Sequence, residues 1–140
     1  MNITIYNNNK YDDKFFIWLM KEVRNYVISS INESKLNQID NYINSNDFFK
    51  TIFKKSISSK EVLYSSMYNL QMQRYWNRVV IGINPNQVLY NTNAKLNTVA
   101  KLINYGTMSI SGYPVLQKCF DYVEKHIEGF YEKYKRERGF

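Results

Sequence analysis

Cysteine and histidine, the side chains most often used for nucleophilic catalysis and zinc binding, each occur once in this chain of 140 residues. Cys119 and His126 are seven residues apart in a stretch predicted to be helical. Two helical turns separate such residues by about 10.5 Å along the helix axis, whereas a catalytic dyad requires hydrogen-bonding distance. We therefore predict that Cys119 is a small core residue and that His126 lies at the flank of the helix.

Other patterns of catalytic and metal-binding sites are missing from the sequence. One cysteine and one histidine cannot supply the three or four ligands of a zinc site, and the carboxylates are too scattered to favour the remaining option, a magnesium site. The glycines form no phosphate-binding loop, and there is no nucleophile elbow of the type G-x-S-x-G. We expect a protein that is not an enzyme, with no cofactor, no metal ion and no small-molecule substrate.

Positive charge is concentrated in the middle of the chain. Residues 48–120 carry nine basic side chains and one acidic side chain, Glu61, whereas residues 1–47 have a net charge of −1 and residues 121–140 of zero. The candidate partner-binding surface in this basic region consists of Lys50, Lys54, Lys55, Lys60, Arg74 and Arg78. Three interpretations stay open: phosphate contacts and base stacking in a nucleic-acid complex, recognition of an acidic protein, or an ordinary solvated surface.

The single cysteine and the apolar runs limit where such a protein functions. One cysteine excludes an intramolecular disulfide framework, and the polar segment Met1–Lys10 lacks the features of a signal peptide. The longest apolar run, Phe15–Met20, is six residues long, far below the ~20 residues of a membrane span. We expect a soluble protein made in the cytoplasm, without a membrane partner.

Apolar periodicity predicts a mainly α fold, a single domain over residues 1–140 that forms a bundle of about five or six helices. Capping residues and apolar spacing predict the first three helices after Asp12 or Asp13, after Ser34 and around 49–53. A long fourth helix is predicted from Ser58 or Ser59 and includes Leu70 and Tyr75. The last two are predicted at 96–105, before a left-handed cap at Gly106, and after Pro114. Pro85 is also suited to a first helical turn. Val79–Ile83 is a short strand or part of a helix, and Asn2–Tyr6, within residues 1–10, is a strand or an extended arm.

The last predicted helix carries the most regular pattern in the sequence. Its apolar residues recur at spacings of 4, 3, 4, 3 and 4 and form a candidate packing seam: Leu116, Phe120, Val123, Ile127, Phe130 and Tyr134. The pattern is a heptad seam on a helix about 35 Å long. Packing inside the domain and packing between subunits, as in a homo-oligomer or a larger assembly, both remain open.

The segment Asn91–Tyr134 resembles a known class of proteins. It contains Lys-Leu-Ile-Asn-Tyr-Gly, a polar turn Thr-Met-Ser-Ile-Ser-Gly, and Tyr-Pro at the start of an amphipathic helix. This arrangement is similar to the helix–turn–helix ending of small structural proteins of tailed bacteriophages, and the Asn, Ile, Lys, Tyr and Phe bias resembles AT-rich phage genomes. The resemblance implies a structural or assembly component of a virion at the head–tail connector or neck. The alternative is a basic phage protein that binds nucleic acid or blocks host defence.

Overall fold

Seven α-helices and three β-strands make up the chain over residues 1–6 and 8–139, which the computed structural model describes. In chain order they are β1 (Asn2–Tyr6), α1 (Asp13–Ser29), α2 (Glu33–Ser45), α3 (Asp47–Phe53), α4 (Ser59–Met67), β2 (Leu70–Arg74), β3 (Arg78–Ile83), α5 (Leu96–Tyr105), α6 (Val115–Lys125) and α7 (Ile127–Glu137). The prediction of a mainly α single domain is confirmed. The described chain has one helix more than the upper predicted number, and a small sheet accompanies the helices.

Side-chain caps determine where the first four helices begin. The Asp12 carboxylate accepts a hydrogen bond from the Phe15 N–H at 2.8 Å, as predicted. Asn32, rather than the predicted Ser34, caps α2, and Asn46 caps α3. Ser58 accepts from the Glu61 N–H at the start of α4. Each cap satisfies an N–H group that has no partner within its helix.

The sheet is antiparallel, with the strand order β1–β3–β2. Asn2–Tyr6 is therefore a strand and not an arm, and Val79–Ile83 belongs to a strand. Alternate residues point to opposite faces of a strand, and the buried residues of β1 and β3 define the inner face: Ile3, Ile5, Val79, Ile81 and Ile83. This inner face packs on α1 and α6 around the buried rings of Phe15, Phe16 and Phe120.

The prediction of a long fourth helix reaching Tyr75 is wrong. The helix α4 ends at Met67, where the Tyr68 N–H bonds to the Tyr64 carbonyl, and Leu70–Arg74 continues as β2. This segment alternates apolar and polar residues, which suits a strand, and β3 supplies the pairing partner. Arg74 and Arg78 are thus on two paired strands, β2 and β3.

The predicted single terminal helix is also wrong. The helix is interrupted at His126, because the φ of −116° and ψ of 26° of this residue are not helical. The helices α6 and α7 are therefore separate. The His126 N–H is shared between the carbonyls of Tyr122 and Val123. The seam is buried within this chain at Leu116, Phe120, Val123 and Tyr134 but only half-buried at Ile127 and Phe130. Its buried part is a domain core and not a contact between subunits.

Gly106 ends α5 with a positive φ of 74°, as predicted, but its ψ of −162° lies outside the left-handed helical region. A Cβ atom there would lie 2.3 Å from the Ile110 carbonyl oxygen. Beyond the turn, the buried Asn104 accepts a hydrogen bond from the Gln117 N–H in the first turn of α6 at 3.0 Å. The turn and this hydrogen bond together link α5 to α6. Pro85, by contrast, lies in a turn and starts no helix.

Candidate interaction surface

The two residues best suited to chemistry are far from forming a dyad. Cys119 is only 4% exposed and packs in the core, and burial raises the pKa of its thiol. His126 is exposed at the break between α6 and α7. Its Nδ1 lies 2.8 Å from the Tyr122 carbonyl oxygen, and its ring stacks on the Tyr122 ring at 4.3 Å. The core position predicted for Cys119 and the flank position predicted for His126 are confirmed.

We expect the Cys119 thiol to react with iodoacetamide at least 100-fold more slowly in the native protein than in urea. The reason is that the thiolate is the reactive form, and burial both disfavours it and blocks access. The measurement is mass spectrometry of quenched time points, with a short unstructured cysteine peptide as the reference. Equal rates in native and unfolded protein would show that the thiol is accessible and that its assigned core position is wrong.

Among residues 1–6 and 8–139, no three side chains of the types His, Cys, Asp and Glu are grouped so that they could hold a metal ion. Over the same residues, every helix is too short or too polar to cross a membrane.

Three of the predicted basic residues come together at the end of α3. Lys50, Lys54 and Lys55 line an open cleft of about 310 Å³ with Asn44 and Ser56. Lys54 follows the last turn of α3 in a left-handed conformation, with φ of 58°. Cations are favourable at a helix C-terminus because of the helix dipole, so the position of these lysines also contributes to helix stability.

The other predicted basic residues do not join this cleft. Lys60 forms an ion pair with Glu33 of α2, and Arg74 forms one with Asp13 of α1 through Nε and Nη2. These pairs neutralise part of the predicted charge. The six residues are therefore spread over at least three places and do not form one surface.

The hairpin that joins β2 to β3 carries exposed aromatic side chains. The Tyr75 N–H bonds to the Arg78 carbonyl at 2.8 Å, which closes the turn, and the Arg78 guanidinium carbon lies 4.2 Å from the centre of the Tyr75 ring. Trp76 at the tip is 89% exposed. Tyr6 of β1 lies opposite Arg78 in the sheet and is also exposed. We call these four residues the hairpin face: Tyr6, Tyr75, Trp76 and Arg78.

Of the four residues of the hairpin face, only Arg78 was predicted from the sequence as a site residue. Tyr6 was missed because it is brought to the hairpin by strand pairing over 72 positions of sequence. The strand alternation of Asn2–Tyr6 was a signal for a strand, but it did not identify the partner strand.

The two edges of the sheet differ. The Thr4 N–H, which points away from β3, donates to Glu124 Oε1 at 2.6 Å, and α6 packs along β1. On the other side, β2 is the last strand of the sheet. The β1 edge is thus closed by the Glu124 side chain and by α6, whereas α1 is the helix that neighbours β2.

The hairpin face offers aromatic rings, one guanidinium group and an exposed indole, which are groups that bind by stacking, burial and hydrogen bonding. None of its four residues is an ordinary catalytic nucleophile paired with a base. Comparisons of the chain with protein-family models, with curated proteins and with solved structures find no match.

Proposed function

We propose that this protein is a non-enzymatic structural or assembly component of a phage particle, at the head–tail connector or neck, where it binds other protein subunits in a larger oligomer. The observation that carries the proposal is the hairpin face, with Trp76 exposed at its tip. The resemblance of Asn91–Tyr134 to small structural proteins of tailed phages is the reason for proposing a phage particle. Its place of action would accordingly be the virion.

The residue types of the hairpin face are those that stabilise protein interfaces. Tryptophan, tyrosine and arginine are enriched among the residues that contribute most to binding, and they anchor in pockets on the partner. The ring of Tyr75 already holds Arg78 in place, which lowers the conformational entropy lost on binding. An indole left 89% exposed gains free energy when a partner removes it from water.

Charge distribution favours one geometry of association. The hairpin lies within Val62–Phe120, a stretch without any acidic residue, whereas the acidic residues lie before and after it along the chain. A two-fold contact through the hairpin face would bring Arg78 of one copy towards Arg78 of the other, since such a contact pairs the same patch on both subunits. Head-to-tail contact between the basic middle and an acidic surface avoids this repulsion and generates a ring when the rotation closes.

We expect Trp76→Ala to raise the concentration at which the oligomer half-dissociates by at least 10-fold, because the change removes the largest exposed apolar group of the contact. The measurement is native mass spectrometry over a range of protein concentrations. Tyr90→Ala is the matched control, since Tyr90 is a similarly exposed aromatic residue outside the hairpin face. A wild-type protein that stays monomeric at 100 µM would contradict the proposed oligomer.

A nucleic-acid-binding protein is the second candidate, and one observation favours it. Tyr75, Arg78 and Tyr6 lie in one row across the outer face of the sheet, where exposed rings can stack on unpaired bases. In that case a fluorescent single-stranded oligonucleotide would bind with strong salt dependence, and Arg78→Ala would weaken it. Binding that is insensitive to salt would reject this candidate.

A further inference from the structure

The strand β2 has a row of backbone groups that point away from the sheet. The Tyr75 N–H bonds to the Arg78 carbonyl and the Asn84 N–H bonds to the Asn69 carbonyl, so the odd-numbered residues of this segment face β3. In an antiparallel pair the alternate residues face the opposite way. The N–H and C=O groups of Leu70, Met72 and Arg74 therefore lie along the free edge.

No acceptor for these three N–H groups is found among residues 1–6 and 8–139, where helix α1 and strand β3 are the main neighbours of β2. The opposite edge of the sheet serves as an internal comparison. There the outward Thr4 N–H has the Glu124 carboxylate as its partner. An unpaired edge is a template for an added strand, and this sheet offers one such edge.

Basic side chains lie at both ends of the free edge. Arg74 is at the hairpin end, where it is paired with Asp13. At the other end, Arg24 of α1 donates from Nε to the Met67 carbonyl at 3.3 Å, and its guanidinium carbon lies 4.2 Å from the centre of the Tyr68 ring. Arg24 forms no ion pair with the carboxylates of the described residues. The strand between the two arginines, Leu70–Arg74, is about 13 Å long at a rise of ~3.3 Å per residue.

We propose that the free edge of β2 accepts an extended, acidic segment of a partner protein as a fourth strand of the sheet. Backbone hydrogen bonds to Leu70, Met72 and Arg74 would hold the segment, and carboxylates near its ends would meet Arg24 and Arg74. This inference rests on the proposed assembly function and names the chemistry of one partner. A second copy of β2 is a poorer occupant, because it would bring a second Arg24 and an Arg74 already paired with Asp13 to the same edge.

The test uses the full chain and a synthetic peptide of about ten residues, alternating valine and threonine with a glutamate near each end. Chemical shifts of backbone amides report where the peptide binds. We expect saturable shifts at Leu70, Met72 and Arg74, and a several-fold weaker affinity when lysine replaces glutamate in the peptide, because exposed ion pairs each contribute a modest amount.

Two substitutions at one position separate backbone binding from side-chain binding. Met72→Pro removes the outward N–H, which makes no bond within the sheet, and proline is tolerated on edge strands for this reason. We expect Met72→Pro to lower the peptide affinity at least 10-fold and Met72→Ala to change it less than about 3-fold, both with native circular dichroism. Equal losses from the two substitutions would overturn the proposal.

Hydrogen exchange of the wild-type amides tests the same geometry without any variant. The amides of Leu70, Met72 and Arg74 should exchange at least 10-fold faster than those of Gln71 and Gln73, and the peptide should slow them. Slow exchange of these amides in the free protein at low concentration would contradict the proposal of an open β2 edge. Exchange that does not change at millimolar peptide would contradict it as well. Protection that depends on protein concentration alone would identify a second copy as the occupant and would also overturn it.

The same variants separate this inference from the proposed function. An oligomer that is lost with Trp76→Ala and kept with Met72→Pro, together with absent peptide binding, would overturn the edge site while the assembly function stands. Peptide binding by a protein that remains monomeric would support the edge site while contradicting the oligomer.

Discussion

Phe120→Ala is expected to lower the free energy of unfolding by about 3–5 kcal/mol, as is typical of buried phenylalanine. Phe120 has no exposed surface, and its helix α6 packs against both α1 and β1. The loss is large compared with the total stability of ~5–15 kcal/mol of a typical domain. Urea unfolding followed by circular dichroism measures it, and the result should not depend on protein concentration, because Phe120 packs within its own chain.

Ile127→Ala is the control from the same heptad pattern. Ile127 follows the break at His126 and is only half-buried, so its truncation leaves a site that solvent can fill. We expect a smaller loss of about 1–2 kcal/mol. Equal losses for Phe120 and Ile127, or losses that vary with protein concentration, would support one continuous seam between subunits instead of two internal helices.

Gly106→Ala is expected to destabilise the protein by about 3 kcal/mol or more. The backbone at Gly106 has φ of 74° and ψ of −162°, a combination that residues with a Cβ atom essentially never adopt and that costs ~1–3 kcal/mol for strain alone. The added Cβ would also lie 2.3 Å from the Ile110 oxygen and 2.4 Å from the Gly112 nitrogen. The turn would have to open, and the link between α5 and α6 would weaken. Thermal and urea unfolding measure the loss.

Gly129→Ala provides the matched control because it introduces the same methyl group in the opposite situation. Gly129 lies within α7, and a Cβ atom there meets no atom within 4 Å apart from the backbone of its own helix and its chain neighbours. Alanine is a better helix former than glycine by ~0.5–1 kcal/mol, so this variant should be more stable than wild type. A Gly106→Ala protein as stable as wild type would contradict the backbone conformation described for the turn.

Much of the helical part of the fold could be predicted from the sequence because its signals are local. Asp12 and Ser58 cap helices where the sequence indicated, since a cap depends on residues within three positions. The core position of Cys119 was predicted because helix geometry excludes a dyad with His126. These features need no knowledge of distant partners.

The errors arose where distant residues decide between local alternatives. Leu70 and Met72 fit both a helix face that continues from Met67 and a strand with alternating polarity, and pairing with β3 selects the strand. The residue at the break is His126 and not a proline or a glycine, so no ordinary helix-breaking residue indicates the end of α6. It interrupts a heptad pattern that continues in the sequence on both sides.

The candidate surface could be predicted only in part for the same reason. Lys50, Lys54 and Lys55 lie together because they are neighbours in sequence. The pairing of Arg74 with Asp13 spans 61 positions, and no local pattern reveals it. Charge counted along a chain therefore overestimates the charge that one surface presents.

The hydrogen bond from the Thr4 N–H to Glu124 limits where further strands can be added to the sheet. Because that contact and α6 occupy one margin of the sheet, an added strand at β2 cannot be followed by another at β1. Growth of one continuous sheet through successive copies would therefore stop at β1 of each copy. Under the proposal made for the β2 edge, each chain would take up one incoming strand, and binding would saturate at a ratio of one to one.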